Sequence, residues 1–85
     1  MEKIFFQKGD LNFIKNNYPD SFEDLRPIIN SDMMSVNIPS DKDYEKLVEM
    51  PLIDALTDDK SLDGIELNNM GLKVEAIIDY VNLNN

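Results

Sequence analysis

A chain of 85 residues without a single cysteine has neither a disulfide nor a thiolate metal site to staple it, so one hydrophobic core must hold it together. At this length folding removes roughly 60–65% of the surface that the unfolded chain exposes, which makes the core thin. Losing one large core side chain, at about 2–5 kcal/mol, would remove much of the stability that such a core supplies. The length leaves room for one domain spanning residues 1–85. Its 42% hydrophobic content is that of an ordinary globular protein and argues against disorder, despite 29% charged residues.

The run Ile4-Phe5-Phe6, bounded by Lys8-Gly9-Asp10, predicts a short strand over residues 3–7. Asp10 has the place of an N-cap for a short helix carrying Leu11, Phe13 and Ile14 to about Asn17. Tyr18-Pro19 should end it, because the residue before proline is pushed out of helical geometry. Ser21, with Asp24 three residues on, predicts the next cap, and Pro27 breaks the helix that follows. Met34, Val36 and Ile38 alternate with Ser35 and Asn37, the period of a half-buried strand within residues 33–38. That strand could pair with residues 3–7 as a two-stranded β ribbon lying on the helices.

Ser40 opens the clearest local signal, a cap followed by Asp41, Asp43 and Glu45 at the positive end of a helix dipole. Tyr44, Leu47, Val48, Leu52, Ala55 and Leu56 form an apolar stripe that Pro51 should kink or split. Thr57 to Gly64 reads as a polar loop. The last helix is expected to use Leu67, Met70, Val74, Ile77, Ile78 and Val81, capped by Asn68 or Asn69. Gly71 should weaken its first turn by about 1 kcal/mol relative to alanine. The expected fold class is mainly α (small α+β), with three to four short helices and the ribbon. No apolar run approaches the about seven residues of a signal peptide or the about twenty of a membrane span, so a soluble, cytoplasmic protein is expected.

The chain has no histidine, cysteine or tryptophan, so the commonest general base, the best nucleophile and the imidazole and thiolate metal ligands are missing. Gly9, Gly64 and Gly71 lie too far apart to form a phosphate cradle. No catalysis and no cofactor are expected. The loop Asp59-Lys60-Ser61-Leu62-Asp63-Gly64 resembles the start of a calcium loop, with polar residues at positions one, three and five and glycine at six. The pattern then fails, since Glu66 replaces the apolar residue and Met70 replaces the bidentate glutamate. A plain turn with Gly64 at a positive backbone angle is expected, and no metal.

Carboxylates are the abundant group: 17 Asp and Glu against 8 Lys and Arg give a net charge of −9. Such a surface repels nucleic acid and anionic membranes and attracts a basic protein. Asp41, Glu45 and Glu49 are spaced to stack about 6 Å apart on one α-helical stripe. Asp54, Asp58, Asp59 and Asp63 continue the acidity, and Tyr44 is an aromatic anchor on the same segment. These eight residues are the candidate partner-binding set. A rigid row of negative charge can imitate a phosphate backbone, although a merely solvated helix face would use the same residue types. The expected function is a small acidic protein–protein interaction module that binds and neutralises or regulates a basic partner, as an immunity protein, an antitoxin or a phage-encoded inhibitor does. The abundance of asparagine and isoleucine suggests an AT-rich bacterial or phage genome. The alternative is a structural or accessory subunit that forms a small homo-oligomer through an apolar helix face such as Val74, Ile78 and Val81.

Overall fold

The computed structural model of the protein describes residues 2–84. Among them are four α-helices and two antiparallel two-stranded sheets, a mainly helical small α+β arrangement. The expected ribbon is formed by β1 (Glu2–Phe5) and β2 (Ser35–Ile38), with Ile4 opposite Val36 and Phe5 opposite Ser35. Both strands are shorter than the expected ranges, β1 starting a residue earlier and ending at Phe5 and β2 starting only at Ser35. Phe6 still donates its N–H to the Met34 carbonyl at 2.8 Å, but Met33 takes a positive φ of 56° and leaves the ladder. The cause is a tight turn before β2, in which Asn30 N–H reaches Ser35 O at 2.9 Å and Asp32 accepts the Met34 N–H at 2.9 Å. Ile29 adds a single bridge to Val36, so β2 lies inside and β1 at an edge.

The prolines start helices as well as ending them. Gly9, at φ 90°, is the N-cap of α1 (Asp10–Asn17), so Asp10 is its first helical residue and not its cap. Pro19 closes α1 and at once opens α2 (Pro19–Leu25), at a position where its missing N–H has no intrahelical partner to lose. Ser21 therefore sits buried inside α2 and caps nothing. Pro27 lies in a 3₁₀ turn, Arg26–Ile28, that ends the helical run.

The segment from Asp41 to Leu56 changes pitch twice, from a 3₁₀ turn (Asp41–Asp43) through a π turn (Glu45–Glu49) into α3 (Met50–Leu56). Pro51 explains the π turn. It has no N–H, and its ring crowds the carbonyl four residues back. Widening the turn just upstream, where Met50 N–H bonds the Glu45 carbonyl five residues back, lets the chain continue without a break. The Ser40 hydroxyl bonds the Asp43 carboxylate at 3.2 Å in place of a backbone cap.

Residues 57–64 are more ordered than a polar loop. A 3₁₀ turn (Asp59–Ser61) leads into a hairpin of β3 (Leu62–Asp63) and β4 (Glu66–Leu67). Gly64, at φ 67°, supplies the left-handed residue of the two-residue turn. Leu67 thus belongs to β4, and α4 begins at Asn69 and runs to Asn84. Asn68 is its cap as expected, with Oδ1 accepting the Gly71 N–H at 3.0 Å.

The core gathers Ile4 and Phe6 of the ribbon side, Leu11 and Ile14 of α1, Leu25 of α2, Leu52 of α3 and Val74, Ile77 and Val81 of α4. One buried polar group ties these elements together. A carbonyl only accepts, so the Ser61 hydroxyl donates to Ala55 O at 2.7 Å, and the Tyr18 hydroxyl must donate to Ser61 Oγ at 2.6 Å. The Ser61 carbonyl accepts the Asn68 N–H at 2.9 Å, and Lys60 bonds the Asn17 carbonyl at 2.8 Å. Residues 60 and 61 therefore join the ends of α1, α3 and α4. Among the described residues no helix is long and apolar enough to cross a membrane.

Candidate functional site

The acidic stripe does not follow one α-helical line. Asp41 lies in the 3₁₀ turn and Glu45 and Glu49 in the π turn, and while Asp41 and Glu45 are exposed, Glu49 is half-buried. Glu49 comes close enough to Tyr44 for its charge to act on the phenol. The Tyr44 pKa is pushed above its ordinary 10.0, first by burial and then by Glu49.

Tyr44 is half-buried and donates its hydroxyl to Asn82 Oδ1 of α4 at 2.6 Å. This contact closes one side of a groove of about 280 Å³ lined by Glu2, Ile4, Ile38, Asp41, Tyr44, Val81 and Asn82. Ile38 and Val81 are fully covered and Ile4 is 8% exposed, so the apolar surface open to a ligand is chiefly that of Tyr44, with a small edge of Ile4. The acidic residues Glu2 and Asp41 are among the lining residues, and no lysine or arginine is. Of the candidate set, the structure thus brings Asp41 and Tyr44 into one groove.

The others are placed apart from it. Asp54 lines a second groove of about 240 Å³ with Asp24, Lys46, Leu47, Met50 and Pro51. Asp58 is committed to its own turn, accepting the Lys60 N–H at 2.9 Å. Asp59 and Asp63 are exposed on the 3₁₀ turn and the hairpin. Among the described residues the ion pairs are Arg26–Glu23 at 2.7 Å and Lys73–Asp10 at 3.2 Å, and neither uses an acid of the candidate set. Lys42 and Lys46, interleaved with the stripe, bridge none of its carboxylates.

Sequence reasoning missed Glu2, Ile4 and Asn82 as groove residues. No local signal could have found them, because only the β1–β2 register and the packing of α4 bring positions 2 and 82 beside position 44. It also missed that Asp10 is buried, with Oδ1 on Lys73 and Oδ2 without a hydrogen-bond partner among the described residues. The apolar face suggested for self-association is not spare. Val74 and Val81 are wholly inside the chain's own core, and Ile78 is half-buried against it. Tyr18 is likewise core, leaving Tyr44 and Tyr80 as the partly exposed tyrosines. The sequence matches no protein-family model and no curated protein, and the structure matches no solved structure.

Proposed function

We propose that this chain is an acidic interaction module that binds a basic protein and neutralises or regulates it, as an immunity protein, antitoxin or phage inhibitor would. The observation that carries the reading is the unspent charge. The chain has a net charge of −9, and Asp41, Glu45, Glu49, Asp54, Asp58, Asp59 and Asp63 take part in no ion pair among the described residues. Carboxylates left without cations attract a basic surface and speed its encounter, while apolar contacts at the centre of an interface set the release rate. The lack of cysteine suits action in a reducing cytoplasm.

The test is capture from a source-cell lysate by the tagged chain at low and moderate salt, repeated with the Glu45→Lys/Glu49→Lys variant. One basic protein should be held in stoichiometric amount and released as salt rises. Reversing the two charges should slow its association about tenfold and flatten the salt dependence, with little change in dissociation. An unchanged salt dependence in the variant would refute the acidic face. Recovery of only the chain itself, as a defined oligomer at both salts, would favour an accessory subunit instead.

A further inference from the structure

We infer that the groove beneath Tyr44 seats one arginine side chain of the partner, an assignment that rests on the acidic-face reading and narrows it to a site. The size comes first. At about 280 Å³ the groove falls below the ~300–1,000 Å³ of sites that enclose cofactors or drug-sized ligands, and it suits a single side chain. Its surface is amphipathic in the way an arginine is. Tyr44, with the exposed edge of Ile4, offers apolar area for the aliphatic stem and the guanidinium face, and two acidic residues, Glu2 and Asp41, line it from two different elements.

The hydrogen-bonding polarity agrees. The Tyr44 hydroxyl proton is committed to Asn82 Oδ1 at 2.6 Å, so towards any ligand the phenol oxygen can act only as an acceptor. The carboxylates are acceptors too, and neither Glu2 nor Asp41 is in an ion pair among the described residues. Lysine matches the charge less well than arginine, whose planar and weakly hydrated guanidinium can stack on a ring while forking onto a carboxylate. Two further grooves lack this character, since Lys46 lines the one beside Asp54 and Lys15 and Arg26 line another beside Phe22.

The probe is N-acetyl-arginine amide, titrated into the isotope-labelled protein and followed by amide chemical shifts, with the neutral N-acetyl-citrulline amide as its isostere. Saturable shifts at Ile4, Tyr44 and Asn82, with affinity of about millimolar order, are expected for arginine and not for citrulline. Asp41→Asn should weaken binding about tenfold. Glu66→Gln, the same loss of charge on the exposed hairpin and outside the candidate set, should leave it unchanged. Equal weakening by both variants, equal shifts from citrulline, or no saturable shift at the groove would overturn the assignment. A hexalysine peptide separates the two levels of inference. If it shifts amides along residues 41–63 while the groove stays silent to arginine, the groove assignment falls and the acidic face stands. Silence to both probes removes both.

Discussion

Replacing Gly71 with alanine sets helix propensity against packing, because the two demand opposite signs. Propensity alone favours alanine inside a helix by about 1 kcal/mol. The structure opposes it. A Cβ at position 71 would meet the Ser61 carbonyl oxygen well inside contact distance and Leu67 Cδ2 at 2.9 Å. Leu67 can turn aside, but the Ser61 carbonyl cannot, since it accepts the Asn68 N–H at 2.9 Å while its side chain is held between Tyr18 and Ala55. The first turn of α4 must therefore lift away. Overpacking of this kind costs about 1–3 kcal/mol, and weakening the Asn68–Ser61 bond adds about 1 kcal/mol. Set against the gain in propensity, the net loss is about 1–3 kcal/mol. In a domain of this size each kcal/mol moves the melting temperature by about 4–8 °C, so Gly71→Ala should melt at least about 4 °C lower. Circular dichroism melts at fixed protein concentration would read this. Ala76→Gly, on an exposed position of the same helix, serves as the control and should lose only about 1 kcal/mol. A melting temperature that rises in Gly71→Ala would refute the packing account.

The buried hydroxyl pair makes a second prediction. Ser61→Ala should cost about 2–3 kcal/mol in urea denaturation because it strands the Tyr18 hydroxyl and removes the stronger bond to the Ala55 carbonyl, which keeps the Asp58 N–H at 3.3 Å, whereas Tyr18→Phe should cost about 1 kcal/mol. The double variant should lose less than the sum, and strict additivity would show that the pair is uncoupled. Lys73→Met leaves the Asp10 carboxylate buried and unpaired. With the Lys73 side chain 46% exposed, the loss should be about 1–2 kcal/mol, partly recovered when Asp10→Asn is added. Tyr44 titrates above its ordinary 10.0 in the folded state, so the fold holds that proton more tightly than the unfolded chain does. Its stabilising contribution is intact below about pH 10 and is lost as pH rises through the raised value. Stability measured between about pH 9 and 11 should decline less in Tyr44→Phe, and in Glu49→Gln the decline should start at the same pH but be smaller and end at lower pH; curves identical to that of the unchanged protein would contradict this origin.

Much of the architecture was legible because its signals are local. The alternation of Met34, Val36 and Ile38 placed β2, and the asparagine before the last apolar run placed the cap of α4. What escaped was decided over distance. Tyr18-Pro19 marks the end of α1 in the sequence, yet the fixed φ and absent N–H of Pro19 equally suit the first residue of the helix that follows. Strands of two residues, as in the hairpin around Gly64, are too short to show a period. Asp10 is buried against expectation for a carboxylate because Lys73, sixty-three positions away, folds onto it. The candidate site divides in the same way. Asp41 and Tyr44 were visible as an acid and an aromatic on one segment, but the groove that unites them needs Ile4 from β1 and Asn82 from α4.

The π turn before Pro51 also sets the angular phase of everything upstream of it. Each residue of an α-helix advances the azimuth by about 100°, so one extra residue absorbed at 45–49 rotates Asp41 and Tyr44 by about that angle relative to Leu52 and Ala55. Leu52 and Ala55 are anchored in the core, and the aim of Tyr44 toward Asn82 therefore depends on this single residue of slack. Deleting one residue from the turn would keep the composition and nearly all of the charge, yet it would swing the tyrosine off α4 and open the groove. A lineage could gain or lose this groove by one insertion or deletion, with the anchoring of Leu52 and Ala55 in the core left in place.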